Sequence, residues 1–242
     1  MSQGKVLGLM PARGGSKGIP GKNVAELCGR PLLGWAAEEA GKAGLLDRLV
    51  ISSDDPEIIA AATAWGLEAP FVRPAELASD TALVVDAIAH ALNWFREHEG
   101  VEYEHVCLLQ PTNPLVLAED YDRSVDMARR TGADTVITVA RCGQQHPAVM
   151  FELDQDGRAE FFARRLGWDR MPRRQDLPPL HVRTGLAYVF RSAPLLASRH
   201  LYSGSVYAVE VDADRALDIN EPLDLEIARV LLPRFKQQAR GC

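Results

Sequence analysis

An α/β fold on an open, mainly parallel sheet is what this sequence predicts, and three observations predict it. Strand-type and helix-type runs alternate from residue 5 to residue 140. Residues 105–109 (HVCLL) form a nearly continuous apolar run, as expected of a central strand covered on both faces. The chain has 242 residues, more than one average domain and fewer than two, so one large domain with a modest insertion is expected.

The elements follow in order. Residues 5–10 (KVLGLM) read as the first strand, which stops at Pro11, and 11–23 (PARGGSKGIPGKN) as a loop of glycine, proline and cations. Pro31 opens a helix with an apolar stripe at 32, 33, 36, 37 and 40, closed by Gly44. Residues 48–53 (RLVISS) predict a second strand, 56–65 a helix ended by Gly66, and 67–72 a third strand. Apolar residues at 84, 85, 88, 91, 92 and 95 predict a long amphipathic helix capped by Ser79, Asp80 or Thr81. After the central strand come a helix over 120–130 and strands over 135–140 and 149–153.

The pattern then breaks. Residues 154–185 hold seven arginines and few periodic apolar positions, which reads as an inserted arm. Strands at 186–190 (LAYVF) and 205–211 (SVYAVEV) and a last helix from Pro222 to about residue 238 complete the chain.

Composition narrows the function classes. With 47% hydrophobic and 25% charged residues the chain is an ordinary globular protein. Its net charge of −6 argues against a general nucleic-acid binder, so local basic clusters carry the meaning. Apolar runs such as 6–10 and 82–85 fall far short of the roughly 18 residues that span a bilayer, and the amino terminus lacks a signal-peptide core. A soluble, cytoplasmic protein is expected. Cys28, Cys107, Cys142 and Cys242 form no C-x-x-C pair, and the histidines no H-x-x-x-H, so neither zinc nor disulfides are supported.

Ligands of open α/β sheets sit outside the carboxyl ends of the strands, where the first strand here empties into a loop bearing Arg13, Lys17 and Lys22. Gly14, Gly15, Gly18 and Gly21 let backbone N–H groups approach phosphate oxygens, and several cations in one short loop suit a triphosphate. The loop is not a Walker A motif, because Ser16 stands where the first glycine belongs and Asn23 where Ser or Thr would hold magnesium. It is not G-x-G-x-x-G either. A solvated basic loop would share this composition, but its position after the first strand favours a phosphate site.

The same loop closely resembles the opening signature of the N-acylneuraminate cytidylyltransferases, the CMP-sialic acid synthetases. The likeness continues through Gly29-Arg30-Pro31-Leu32, Ser53-Asp54, Arg73-Pro74, Leu77-Ala78-Ser79-Asp80 and Leu109-Gln110-Pro111-Thr112-Asn113-Pro114-Leu115. Arg173-Arg174-Gln175-Asp176, then Leu217-Asp218-Ile219-Asn220 with Asp224, resemble the last two family motifs. The resemblance implies a Rossmann-like nucleotidyltransferase, three-layered with a mixed, mainly parallel sheet and a small dimerisation arm. It would join CTP to a nonulosonic acid with Mg²⁺, releasing pyrophosphate, and act as a homodimer. Alternatives are a shorter ulosonic acid such as KDO, a phosphonate acceptor, or a noncatalytic CTP-binding protein.

Carried onto matching positions, the resemblance implies catalytic roles for Arg13, Lys22 and Asp218. Arg13, Lys17 and Lys22 grip the triphosphate, Lys22 nearest the α-phosphate. Asn23 and Arg73 contact the cytidine, and backbone near Ala12, Asp80 and Thr81 completes a pyrimidine pocket, with Gly14 in the phosphate loop. Gln110 and Thr112 face the acceptor, and Arg165, Arg173 and Arg174 of the arm are candidates for its carboxylate. Phe161, Phe162, Trp168 and Met171 supply apolar anchors for the dimer.

Asp218, after a strand, offers magnesium a hard oxygen ligand. The sequence departs from the family where Asn220 replaces a second Asp and where Thr184 replaces the Asn before Gly185, which suggests an unusual acceptor. Asn220 also reads as the N-cap of the last helix, with Asp224 in its first turn. No general base stands out, and His146 and His181 in Pro-rich loops read as structural. A nucleotide-sugar glycosyltransferase would want D-x-D after a central strand. Asp212-Ala213-Asp214 beside Arg215 has that spacing but lies late in the chain and reads as a surface turn.

Overall fold

The computed structural model describes residues 4–15, 18–143, 146–170 and 173–240. Its strands are β1 (Val6–Pro11), β2 (Glu26–Leu27), β3 (Arg30–Pro31), β4 (Arg48–Ser52), β5 (His105–Leu108), β6 (Thr135–Arg141), β7 (Phe151–Leu153), β8 (Ala159–Phe161), β9 (His181–Arg191) and β10 (Val206–Glu210). Its helices are α1 (Leu32–Lys42), α2 (Pro56–Ala64), α3 (Val84–His98), α4 (Ala118–Thr131), α5 (Ser192–Ser198) and α6 (Pro222–Arg240).

Six strands form one sheet in the order β10-β6-β9-β5-β1-β4. All pairings are parallel except those of β9, which runs antiparallel between β5 and β6. The expected α/β fold with a mixed, mainly parallel sheet is therefore present. Alternation along β1 sends Val6 and Met10 into the layer of α1, α2 and α4, and Leu7 and Leu9 into the layer of α3 and α5. A third apolar cluster packs α6 through Leu225, Ala228 and Leu232 onto Trp35, Leu115 and Ile219. That contact places the chain just before α6 beside the carboxyl end of β5.

Several local expectations are corrected. Residues 67–72 are not a strand: Glu68 makes one isolated bridge to Val50, and Pro70 and Pro74, which lack N–H donors, prevent a ladder. Helix α3 starts at Val84 with no side-chain cap, because the turn at Ser79–Thr81 is turned toward the β1 loop, where Ser79 O accepts from Arg13 Nη1 at 2.6 Å. Helix α1 ends at Lys42, before Gly44, whose N–H instead donates to Asp122. The run at 149–153 contributes β7, which pairs with β8 in a separate two-stranded sheet. Residues 181–185 belong to β9, so the excursion from the main sheet covers 142–180. Helix α5 had no sequence signal.

Residue 215 also differs from a surface turn. Asp212 and Asp214 are exposed, but Arg215 is buried and doubly bonded to the fully buried Asp120, with Nη1 to Oδ2 at 2.5 Å and Nη2 to Oδ1 at 2.9 Å. Asp120 Oδ2 also accepts from Leu117 N at 2.9 Å, capping α4. Among the described residues no helix is long and apolar enough to cross a membrane, and Cys28, Cys107 and Cys142 are free thiols.

Candidate active site

The carboxyl ends of β1 and β5 border a cleft of about 360 Å³ lined by Ala12, Arg13, Gly18, Lys22, Asn23, Gln110 and Thr112, among others. Each wall has a local cause. Ala12 N donates to Ser52 O at 3.0 Å, carrying the β1–β4 ladder one residue beyond the strand. Gly21 at φ 61° turns the chain into the short helix Lys22–Val24, and the buried Asn23 donates from Nδ2 to Arg13 O at 3.1 Å, holding the loop closed on itself.

Lys22 is tied across 197 residues of sequence. Its Nζ donates to Ile219 O at 2.8 Å and to Asn220 Oδ1 at 3.3 Å, while Ile219 N donates to Thr112 O at 3.0 Å. The β1 loop, the β5 loop and the segment before α6 thus meet at one ammonium group. Burial lowers the Lys22 pKa from 10.5, opposed by the charges of Asp218 and Asp224 and reinforced by Arg13. A cation held partly out of water here is poised to exchange its protein carbonyl for an incoming anion.

The loop's other donors already hold carboxylates. Arg13 Nη2 pairs with Asp80 Oδ1 at 3.0 Å, and Gly14 N donates to Asp54 Oδ1 at 3.1 Å. These are the kinds of donor that bind phosphate oxygens, and each is held here by an acidic side chain. Gly18 lies so close to Asn220 that a Cβ there would come within 2.4 Å of its carbonyl oxygen. Only glycine permits that approach.

A family model described as Cytidylyltransferase matches residues 7–204. The chain belongs to the cytidylyltransferase family. Its members are nucleotidyltransferases, and this cytidylyltransferase is 30% identical over 232 residues to the pseudaminic acid cytidylyltransferase of Campylobacter jejuni serotype O:23/36 (strain 81-176), covering 94% of this chain and 96% of that one. It is 30% identical over 227 residues to the N-acylneuraminate cytidylyltransferase A of Danio rerio, covering 94% of this chain and 50% of that one. Among solved structures, a CMP:2-keto-3-deoxy-manno-octonic acid synthetase complexed with CTP superposes with a TM-score of 0.68 at 20% identity, over 95% of this chain and 99% of that one, which shows the shared fold.

Against this frame the cytidylyltransferase gathers some expected site residues and not others. Ala12, Arg13, Lys22, Asn23, Gln110 and Thr112 line the cleft, with Asp218 and Asn220 adjoining through Lys22; the exposed Asp80 reaches it through its pair with Arg13, half-buried Gly14 follows Arg13 in the loop, and Thr81 is exposed beside Asp80. Lys17 and Met171 lie outside the described residues. Arg73 is buried behind the cleft, bonded through Nε to Ser52 Oγ at 3.0 Å and through Nη2 to Ser52 O. Burial lowers its pKa, with Asp54 opposing and Arg13 adding.

Arg165 and Arg173 stand in the arm, paired with Glu152 and Asp176, and the backbone of Arg174 lies in the short helix Arg174–Asp176 beside them. His146 bonds Pro178 O and accepts from Ala148 N while stacking on Trp168, so its role is structural, and exposed His181 lies 3.6 Å from Glu210.

Asn220 is not the cap of α6. Its side chain donates from Nδ2 to Asp218 Oδ2 at 3.0 Å, while Asp224 Oδ2 accepts from Asn220 N and Glu221 N, doing the capping from within the first turn. Asp218 Oδ1 is buried without a hydrogen-bond partner. An orphan carboxylate oxygen suits a hard cation that completes its shell with substrate phosphates and water, as magnesium does, while the neighbouring Asn220 amide turns its nitrogen to Asp218 and its oxygen to Lys22. No group of three or more His, Cys, Asp or Glu able to hold a metal occurs among the described residues, so the protein alone offers a sparse shell.

Sequence reasoning missed Tyr188, Arg183 and Tyr202, which extend the site past Gln110. Tyr188 shares a side-chain hydrogen bond with Gln110, and burial raises its pKa to about 12. Thr184, the departure beside Gly185, is buried and donates to Thr138 Oγ1 at 2.9 Å at an irregularity in the β6–β9 register. Its hydroxyl serves the sheet, whereas a Cβ at Gly185, whose φ is 79°, would come within 3.2 Å of the Gln110 side-chain nitrogen.

Proposed function

We propose that the protein transfers the CMP unit of CTP to the hydroxyl of a nonulosonic acid, releasing pyrophosphate. The observation that carries this reading is the convergence on Lys22: one partly buried ammonium joins the glycine-rich β1 loop, the β5 loop and the Asp218 segment within a cleft of nucleotide size. The activities named for the relatives, on pseudaminic and N-acylneuraminic acids, support an acceptor of that class.

In this mechanism the acceptor hydroxyl attacks the α-phosphorus in line and gives its proton to solvent water, the bond from that phosphorus to the bridging oxygen breaks, and pyrophosphate leaves. Arg13 and the N–H of Gly14 exchange Asp80 and Asp54 for phosphate oxygens. Lys22 exchanges Ile219 O and Asn220 Oδ1 for the α-phosphate, where charge develops in the transition state. Asp218, through Oδ1, and Asn220, through its amide oxygen, would hold Mg²⁺, which when bound neutralises triphosphate charge. Gln110 and Thr112 orient the acceptor on the far side of the phosphate from the leaving group. The exposed Val149, Met150, Phe151 and Leu153 of the arm support pairing with a second copy.

The Lys22 environment sets a pH dependence. Burial favours the neutral amine in the free enzyme, so kcat/KM for CTP is expected to fall with rising pH before the ordinary lysine value of 10.5. A bound triphosphate favours the ammonium, so kcat should hold to higher pH. Coincident alkaline limbs in the two profiles would remove Lys22 from phosphate binding. The function itself is tested by pyrophosphate release from CTP and Mg²⁺ with a panel of pseudaminic, legionaminic, N-acetylneuraminic and shorter ulosonic acids. Turnover is expected with at least one nine-carbon acid, and CTP binding without turnover on any acid would make the protein a CTP-binding module instead.

A further inference from the structure

The acceptor in the proposed reaction is an acid, and its carboxylate needs a cation that the triphosphate does not occupy. We propose, resting on that reading, that Arg183 of the same chain receives this carboxylate and that Tyr202 positions it, making the pair the acceptor-selecting element of the site.

The antiparallel course of β9 puts Arg183 there. Its start, not its end, lies at the carboxyl edge of the parallel strands, with Arg183 opposite Val139 and His181 opposite Arg141. Four residues after the Thr184 irregularity, Tyr188 lies opposite Leu108, the last residue of β5. Tyr188 bonds Gln110 on the cleft wall, and the Arg183 guanidinium carbon sits 5.8 Å above the Tyr188 ring. A continuous path therefore runs from cleft to Gln110, Tyr188 and Arg183.

The guanidinium is oriented but not neutralised. Its Nη1 donates to Tyr202 Oη at 2.6 Å, and no carboxylate forms an ion pair with it among the described residues. The Tyr202 bond favours its charged form most, followed by Tyr188, with the Asp218 carboxylate adding from the catalytic side. Other arginines differ: Arg165, Arg173, Arg191 and Arg199 are each paired with a carboxylate, of Glu152, Asp176, Asp134 and Asp86 respectively. A planar cation on an aromatic shelf, with donors to spare and fixed at one nitrogen, is suited to grip a carboxylate through two parallel bonds.

The test is steady-state kinetics with CTP and whichever acid the wild type uses best, alongside that acid's carboxamide analogue. Arg183→Ala should raise the acid KM by about tenfold or more while leaving the CTP KM unchanged, as expected for loss of a charged hydrogen bond. It should also erase the wild type's preference for acid over amide, with partial return in Arg183→Lys. Tyr202→Phe should raise the acid KM by a smaller factor at unchanged kcat. An unaltered acid KM in Arg183→Ala, or an undiminished preference for acid over amide, overturns the proposal. Absence of wild-type turnover with every acid instead removes the transferase reading, and this proposal with it.

Discussion

Lys22→Ala is expected to lower kcat by on the order of 10²–10³-fold while changing the CTP KM only a few-fold, the effect of deleting one donor aimed at developing charge. The ground-state enzyme already satisfies Lys22 with Ile219 O and Asn220 Oδ1, so binding CTP exchanges one set of partners for another and gains little net affinity. The gain comes when charge accumulates on the α-phosphate. Lys22→Arg should not restore the rate, because a forked guanidinium does not fit where a compact ammonium touches two oxygens of one segment. Steady-state kinetics with pyrophosphate readout checks this, and equal losses in kcat/KM through KM alone would assign Lys22 to uniform binding.

The second large effect is on stability. Arg215→Ala is expected to destabilise the fold by about 3–5 kcal/mol, measured by urea unfolding, because it leaves the fully buried Asp120 carboxylate without its cation. The consequence reaches the site. Arg215 fastens the segment leading to Asp218 onto the first turn of α4, and three residues after Asp218 that segment enters the α6 cap. Arg215→Met combined with Asp120→Leu should recover much of the lost stability, since neither charge then stays buried alone. A single-variant cost below about 1 kcal/mol, the level of an exposed pair, would show that water reaches this pair.

Most of the scaffold was legible because it rests on period and punctuation. The stripe of α1, the continuous run of β5 and the glycine ending α2 each predicted their element. The basic loop after β1 was equally readable, since strand end, glycines and cations coincide there. What was hidden depends on distance in sequence. Nothing local marks β9 as antiparallel, so 181–185 read as part of the arm and nothing in the sequence separates Arg183 from the other arginines of that basic stretch. Arg215 follows two exposed aspartates and reads as surface until its partner, 95 residues earlier, is known. Likewise Ser79, Asp80 and Thr81 carry the chemistry of a helix cap, but Arg13 draws that turn toward the phosphate loop and α3 begins without it.

Asn220 shows how one residue changes meaning with context. As sequence it is a cap or a weakened metal ligand. In the fold Asp224 takes the capping role, leaving the Asn220 amide to link Asp218 with Lys22. Asp218 keeps one buried oxygen without a hydrogen-bond partner, and its charge favours the ammonium form of Lys22.

Phosphorus-31 NMR of the reaction of CTP, Mg²⁺ and a nonulosonic acid tests the central claim most directly. Attack at the α-phosphorus predicts that the three CTP resonances give way to one phosphodiester signal and pyrophosphate in equal amounts. Appearance of CDP with orthophosphate, or persistence of CTP with every acid in the panel, would contradict it.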